Sequence, residues 1–494
     1  MDSQTGHLGE SKFEETDNDT CNKGTDIQEF YRDCNVLITG GTGFVGKLLI
    51  EKLLRSCPAT KNIFTIIRPK KGKSPEERKE KLLKCVIFDS LKATSPNFHE
   101  KLVMVSGDIS LPNLGISTLD YEMLSQQVNI IFHLAATVKF DEKINIAVPI
   151  NIFGTMEIIK LCRKCVSLKM LSQQVNIIFH LAATVKFDEK VNIAVPINIF
   201  GTMEIIKLCR KCVSLKSIVY VSTAYSNCHL KEIKERFYNP PIEEYEIIKY
   251  LTTVDEVIME IGRTHIHLLK LIAENIIRKT ASDLPISIVR PSQVAGTLKE
   301  PLIGWIDNIY GPNGAVVGIG AGLLKTIIRK GNLKSDVIPG DLVINGIIVA
   351  AYDVGTRNYE EIPIFNSVCG MNAITFEKSE KILYERMHEV PSKQSIWCPS
   401  MTSVECSFWF RFVAIFIHVI PGAILDLLLI FKGKNPMIVK IYRKVDKFMH
   451  SMKYFTTFEW DFDNHKYLSL YNSLSESDKE IFYFNSNEII WKDY

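Results

Sequence analysis

What most restricts this fold is a regular alternation of short β-branched runs with longer helical stretches, opening on a glycine-punctuated turn from strand to helix. Val36–Thr39, Ile63–Arg68, Leu102–Ser106, Val128–Leu134, Ile218–Ser222 and Ile286–Arg290 read as strands. Parallel strands need helical crossovers, so the alternation predicts an α/β fold: a doubly wound, Rossmann-type parallel sheet. The first strand runs into Thr39-Gly40-Gly41-Thr42-Gly43-Phe44-Val45-Gly46 and then into a helix over Lys47–Leu54. In this Gly-x-x-Gly-x-x-Gly spacing Gly40 permits the tight turn and Gly43 lets backbone approach a pyrophosphate. Gly46 lets the helix pack on the strand, with the phosphate at the helix N-terminus. Thr39 and Phe44, which close the strand and open the helix, complete the candidate dinucleotide cradle.

The second strand ends in Ile67-Arg68-Pro69-Lys70-Lys71, where an NAD-selective site would carry a carboxylate for the ribose 2′-hydroxyl. A cation there favours NADPH: Arg68 can fork onto a 2′-phosphate and Lys70 or Lys71 can add positive field. A solvated basic loop is the competing reading. Asp108, after the third strand, is placed to accept a hydrogen bond from adenine, and a plain turn aspartate is the alternative.

One feature cuts across this order. Met123–Lys169 recurs as Met170–Lys216, a 47-residue repeat in which only Ile144 and Val191 differ. Solenoid repeats drift apart and occur three or more times, whereas here one βα unit is copied once. The unit carries a strand and an Ala-Ala loop that should line the cofactor, so Ala135 and Ala182 are rival candidates for one position.

The remaining text bounds the class. The chain has 494 residues, 46% of them apolar, and a net charge of +3, so it can build large cores and shows no nucleic-acid footprint. Twelve cysteines are scattered, and the Cys162/Cys165 and Cys209/Cys212 pairs read as helix packing rather than a metal site. Residues 1–29 read as a disordered, acidic leader. A dinucleotide-binding region with a Gly- and Pro-rich substrate section should follow over 30–360, and a smaller, mainly helical C-terminal domain over 361–494. Within the latter, 412–431 is an apolar stretch too short for a clean membrane crossing and better suited to a membrane-dipping hairpin, backed by Lys432, Lys434, Lys440, Arg443 and Lys444. A buried helical pair is the alternative.

With these pieces in place the chain resembles the extended short-chain dehydrogenase/reductases, and within them the alcohol-forming fatty acyl-CoA reductases of eukaryotes. The resemblance runs from Phe30 to Tyr494. It rests on Glu29-Phe30-Tyr31, on the run from His133 to Asp141, on Tyr220-Val221-Ser222-Thr223-Ala224-Tyr225, on Arg290-Pro291-Ser292, on Lys299-Glu300-Pro301 with Gly304-Trp305-Ile306-Asp307-Asn308, and on the run from Tyr454 to Asn464. It implies NADPH-dependent reduction of long-chain fatty acyl-CoA to the alcohol through an aldehyde, with release of CoA. It also implies association with endoplasmic reticulum, peroxisomal or lipid-droplet membranes on their cytosolic side. A homo-oligomer is compatible with it.

By the same resemblance Thr223, beside Ser222, hydrogen-bonds the substrate oxygen, and Lys270 is the lysine of a Tyr-x-x-x-Lys pair that also binds the nicotinamide ribose. The tyrosine position holds Ile266, which cannot donate a proton. General acid catalysis is worth about 10²–10⁴-fold, so its loss can silence a slow enzyme. His267 is a substitute acid or an ordinary packing residue. The repeat adds a second difficulty. If both copies entered the sheet in sequence, the strand bearing Thr223 would move out by about 4.8 Å, so one copy must bulge out or the site is broken. The alternative to an enzyme is an inactive paralogue that binds NADPH or acyl-CoA as a regulator or scaffold.

Overall fold

The computed structural model describes residues 23–68, 72–135, 154–167, 175–182, 195–241, 265–308, 311–393 and 395–494. Within them, eight parallel strands form one sheet: β1 (Asn35–Thr39), β2 (Asn62–Ile67), β3 (Leu102–Ser106), β4 (Ile130–His133), β5 (Ile177–His180), β6 (Ser217–Val221), β7 (Ile286–Pro291) and β8 (Ile364–Ser367). Their spatial order is β8-β7-β6-β5-β4-β1-β2-β3. Every strand of the expected Rossmann-type order is present, and β8, from beyond residue 361, closes one edge.

Side chains alternate across this sheet because successive residues of a strand face opposite sides. Val36, Ile38, Phe132, Phe179, Val219 and Val289 share one core with α1 (Phe44–Ser56) and a long buried helix near Gly340–Thr356. Leu37, Ile131, Ile178, Ile218 and Ile288 share the other with helices over Gly154–Ser167, Gly201–Cys209 and His265–Thr280. We number these last three and the Gly340–Thr356 helix α3, α4, α5 and α6, with α2 for Pro75–Leu83. Both faces are buried, which explains why the strands read as nearly continuous apolar runs.

Both copies of the repeat enter the sheet. β4 and β5 pair in parallel with Ile130 opposite Ile177 and His133 opposite His180, and β5 in turn pairs with β6. Of the two alternatives the sequence left, the bulging-out of one copy does not occur among the described residues. The reason is local: each copy carries its own four-residue buried strand and its own following helix, α3 or α4, so each satisfies its backbone as a complete βα unit.

Two further expectations change. Part of the acidic leader is structured: Thr25 and Gln28 form a capping box on a short helix over Asp26–Phe30, and Ile27 is fully buried. Residues 1–22 lie outside the described residues. The apolar stretch is longer than its sequence suggested. Helix α7 (Ser407–Ala414) continues through a wider turn over Ile415–Val419 into α8 (Ile420–Phe431), giving 25 helical residues that contain an 18-residue window with a mean hydropathy of 2.4 and are long and apolar enough to cross a membrane. Pro421, which has no N–H to bond, follows directly on that wider turn, where the Ile420 N–H already reaches back five residues to the Ile415 carbonyl. A loop then turns the chain back into α9 (Ile438–Thr457).

Candidate active site

The glycine turn fits a pyrophosphate. Gly40 takes φ of +76°, which only glycine adopts cheaply, and a Cβ on it would lie 3.0 Å from the Ala135 Cα. A Cβ on Gly46 would come within 2.7 Å of the Gly41 Cα. Gly43 caps α1 without any side-chain hydrogen bond, so the first-turn N–H groups of α1 are left for an anion. Phe44 is buried and stacks on Trp305 at 5.4 Å between ring centres, which ties the helix start to the substrate section.

At the end of β2 the geometry gathers more charge than the sequence suggested. Arg68 stands 3.6 Å from Asp108, and both are partly exposed. One Asp108 oxygen also accepts from the Ser110 N–H (3.0 Å) and hydroxyl (2.7 Å), an Asx-type turn, so this carboxylate has a structural role besides any adenine contact. Arg78, on α2, was not singled out from sequence. It donates to the Arg68 carbonyl and to Thr42 Oγ1 of the glycine turn at 3.1 Å. Burial and the neighbouring Arg68 hold its pKa below the usual arginine value. Two arginines therefore stand at the end of β2, next to the glycine turn. Only the helical spacing of α2 brings Arg78 back to the loop, and no motif marks it. Lys70 and Lys71 lie outside the described residues.

Thr39 belongs to the first copy's half of the site. Its hydroxyl oxygen accepts from the Ala135 N–H at 3.2 Å and meets His133 Nδ1 at 2.8 Å, while His133 Nε2 meets Thr155 Oγ1 at 2.9 Å. Buried without charge partners, His133 is pushed down to about 4 and is neutral at physiological pH. Asn129 Oδ1 likewise accepts from the Asn35 N–H that begins β1, at 2.9 Å. The second copy has no such partners. Ala182 N–H is spent on the His133 carbonyl at 2.8 Å, and His180 Nδ1 and Asn176 Oδ1 are buried with no partner among the described residues. These two atoms are the counterparts of His133 Nδ1 and Asn129 Oδ1, stranded because β4 stands where β1 should.

The other half clusters at the end of β6. Lys270, on α5, is buried, donates to the Val221 carbonyl at 3.0 Å and to the Tyr220 hydroxyl at 3.3 Å, and lies over the Tyr220 ring at 4.7 Å. Burial pushes its ammonium down to about 8, opposed by Glu274. That carboxylate is itself tied to buried Arg290, with Nε to Oε1 at 3.0 Å. Ser222 Oγ is buried with no partner among the described residues, and the Thr223 hydroxyl accepts from the Tyr225 N–H at 3.3 Å. Ile266 stands in the first turn of α5, four residues before Lys270, so the helix returns it to the same face; its side chain lies outside the described residues. His267 is buried against the rings of Tyr225 and Phe455, with centres 6.0 and 5.4 Å away. It belongs to an aromatic cluster against α9, which supports the packing reading of this residue.

The two halves are separated. From β1 to β6 the sheet steps through β4 and β5, three intervals of about 4.8 Å where an unduplicated unit would leave two. Ala135 stays with the glycine turn and Ala182 with Ser222 and Thr223, so neither copy lines both.

Comparison with known proteins agrees with this anatomy. Residues 38–173 and again 166–347 match the NAD-binding family described as Male sterility protein, and the two segments meet at the junction of the copies; residues 417–494 match its companion family of the same description. The chain is 34% identical over 475 residues to Fatty acyl-CoA reductase wat of Drosophila melanogaster, covering 94% of this chain and 82% of that protein. It is 30% identical over 478 residues to Fatty acyl-CoA reductase 1 of Homo sapiens, covering 95% and 84%. The reductase domain of a non-ribosomal peptide synthetase from Mycobacterium tuberculosis shares the fold, with a TM-score of 0.51 at 16% identity over 92% of this chain and 90% of that one. Family match, relatives and sheet order together establish that this chain belongs to the fatty acyl-CoA reductase family.

Proposed function

We propose that the reaction of this chain is the NADPH-dependent reduction of long-chain fatty acyl-CoA to the fatty alcohol, with CoA released and an aldehyde passed on within the site. The observation that supports it most is Lys270, a buried cation aimed at the end of β6 beside Ser222 and Thr223. Each NADPH supplies one hydride when bound, so the alcohol would require two in succession, the first reducing the thioester with loss of CoA and the second the aldehyde. The glycine turn would hold its pyrophosphate, with Arg68 and Arg78 beside the 2′-phosphate. The Thr223 hydroxyl is suited to hydrogen-bond the thioester and then the aldehyde oxygen, and the Lys270 charge to favour the developing alkoxide. With isoleucine at position 266, the proton for that alkoxide must come from water.

The position of β5 favours a second reading: this chain binds both ligands and turns them over poorly, because the nicotinamide end cannot span from the glycine turn to Thr223 within hydride-transfer tolerance. Single-turnover assays with palmitoyl-CoA and NADPH, alongside calorimetry with each ligand, separate the two. Fatty alcohol supports the enzyme. Tight binding of both without product supports the paralogue, and binding of neither ends both readings.

The exposed α7–α8 helix supports docking on a membrane surface; the cytosolic side of endoplasmic reticulum, peroxisome or lipid droplet is what the family resemblance adds to this proposal.

A further inference from the structure

A cavity of about 350 Å³ lies away from the split, between the Gln293–Val337 section and the C-terminal helices. Its walls are mainly aliphatic and thioether groups, among them Ala315, Ile319, Ile328, Ile382, Met401 and Met449. Several of the polar groups in the wall are already committed. Arg329 donates to Ser403 Oγ at 2.7 Å and to the Phe376 carbonyl at 2.8 Å and is ion-paired with Glu380. Thr456 Oγ1 donates to the Ile328 carbonyl at 2.6 Å, and Gln293 Nε2 to the Tyr225 hydroxyl at 3.3 Å. Little remains to recognise a polar ligand. The volume is at the small end of ligand pockets, about 300–1,000 Å³, so it suits one flexible chain and not a nucleotide as well.

The wall also has two distinct ends. Gln293 reaches the Tyr225 hydroxyl, and the Thr223 hydroxyl lies 3.5 Å from the carbonyl of Pro291, two residues before Gln293, so this end of the wall is on the side of the site at the end of β6. Ile328 and Met449 belong to the small core that takes Phe410 from the inner face of α7, so the other end lies against the exposed apolar helix.

We infer that this cavity holds the acyl tail of the substrate, its carbonyl end toward Gln293 and its methyl end toward Met449, and that Ile328 and Met449, backed by Phe410, set the longest chain accepted. The inference rests on the fatty acyl-CoA reading of the family and needs no intact hydride-transfer geometry, because the cavity does not involve β4 or β5. Each methylene buried should tighten binding about fourfold until the cavity is full.

The test is calorimetry on the full chain without NADPH, using decanoyl-, tetradecanoyl- and palmitoyl-CoA below their micelle concentrations, with free CoA as reference. The native chain should bind more tightly with each added length. Met449→Trp should leave decanoyl-CoA within about twofold and weaken palmitoyl-CoA tenfold or more. Should Met449→Trp unfold, as its melting curve would reveal, Ile319→Trp narrows the cavity from another wall and carries the same expectation. Equal weakening at all lengths, or no effect on palmitoyl-CoA in a folded variant, overturns the cavity assignment while leaving the reductase reading intact. Native binding no tighter for palmitoyl-CoA than for CoA overturns both.

Discussion

At the scale of single residues, the site shows how far chemistry can be read from letters. Arg68 could be singled out as a candidate because no carboxylate stands where β2 ends. Arg78 was not, because ten residues and the turn into α2 separate it from that position, and only the fold returns it to Thr42. Charge-assisted hydrogen bonds contribute about 1.5–3 kcal/mol, so Arg78→Ala should weaken NADPH binding at least about tenfold and leave NADH nearly unchanged. Parallel titrations with the two cofactors check this, and equal losses would place Arg78 in the fold alone. Lys270 gives a pH test. Its folded pKa, about 8, lies below the ordinary lysine value of 10.5, so between these values the unfolded chain binds more protons than the folded one. Its stabilising share is therefore complete above about 10.5 and lost as pH falls through 8. The melting temperature of Lys270→Met relative to the native chain should accordingly be highest near pH 7 and decline toward pH 10.5. A difference that stays flat with pH would mean that Lys270 is not a desolvated ammonium.

At the scale of elements, strands β1 to β4, β6 and β7 were readable because a sheet buried on both faces leaves continuous apolar runs bounded by turns. β8 escaped notice: Ile364-Phe365-Asn366-Ser367 is short and half polar, and its Asn366 is recruited by Glu235 and Asp463 rather than by apolar contacts. The repeat was visible at once, yet its consequence was not, since sequence cannot say whether an extra βα unit joins a sheet or leaves it. It joins, at the cost of two buried polar atoms, His180 Nδ1 and Asn176 Oδ1. Removing residues 170–216 should bring Ala135 beside β6, close the gap by about one 4.8 Å interval and eliminate both orphans. Activity then still lacks its acid. We expect the shortened chain to make little fatty alcohol, the shortened chain with Ile266→Tyr to make about 10²-fold more, and added Lys270→Met to abolish the gain. Product analysis by mass spectrometry decides it. An inert double repair that still binds NADPH would show that a third lesion exists.

At the scale of the whole molecule, the C-terminal region is fastened to the sheet rather than tethered to it. Glu235 accepts the backbone N–H groups of Asn366 and Tyr467 at 2.8 and 3.0 Å, and the Tyr467 hydroxyl donates to the Leu342 carbonyl of α6 at 3.1 Å. The apolar helix shares in this attachment. His418 Nε2 accepts the Lys325 N–H at 2.9 Å, and its ring stacks on Tyr442 at 4.8 Å. Asp426 accepts from the first N–H groups of α9, those of Met437 and Ile438 at 2.8 Å and Val439 at 3.0 Å. A helix held at both its middle and its far end by one face cannot cross a bilayer without breaking these bonds. Its opposite face can lie flat in the interface, where Phe408, Trp409, Phe412, Phe416 and Ile420 are exposed and the basic Lys432, Lys434, Arg443 and Lys444 can meet anionic headgroups. Full chain should therefore co-sediment with vesicles containing phosphatidylserine, less so at high salt, and Phe416→Glu with Ile420→Glu should release it without lowering its melting temperature. The two geometries differ in what the ends of the helix see. In a Cys398→Ser background, exposed Cys406 reports the start of the helix and Lys434→Cys its end. For protein added outside sealed vesicles, an impermeant maleimide should label both if the helix lies flat. Labelling of one end alone, with the other protected until detergent is added, would establish a crossing and require α8 to separate from α9.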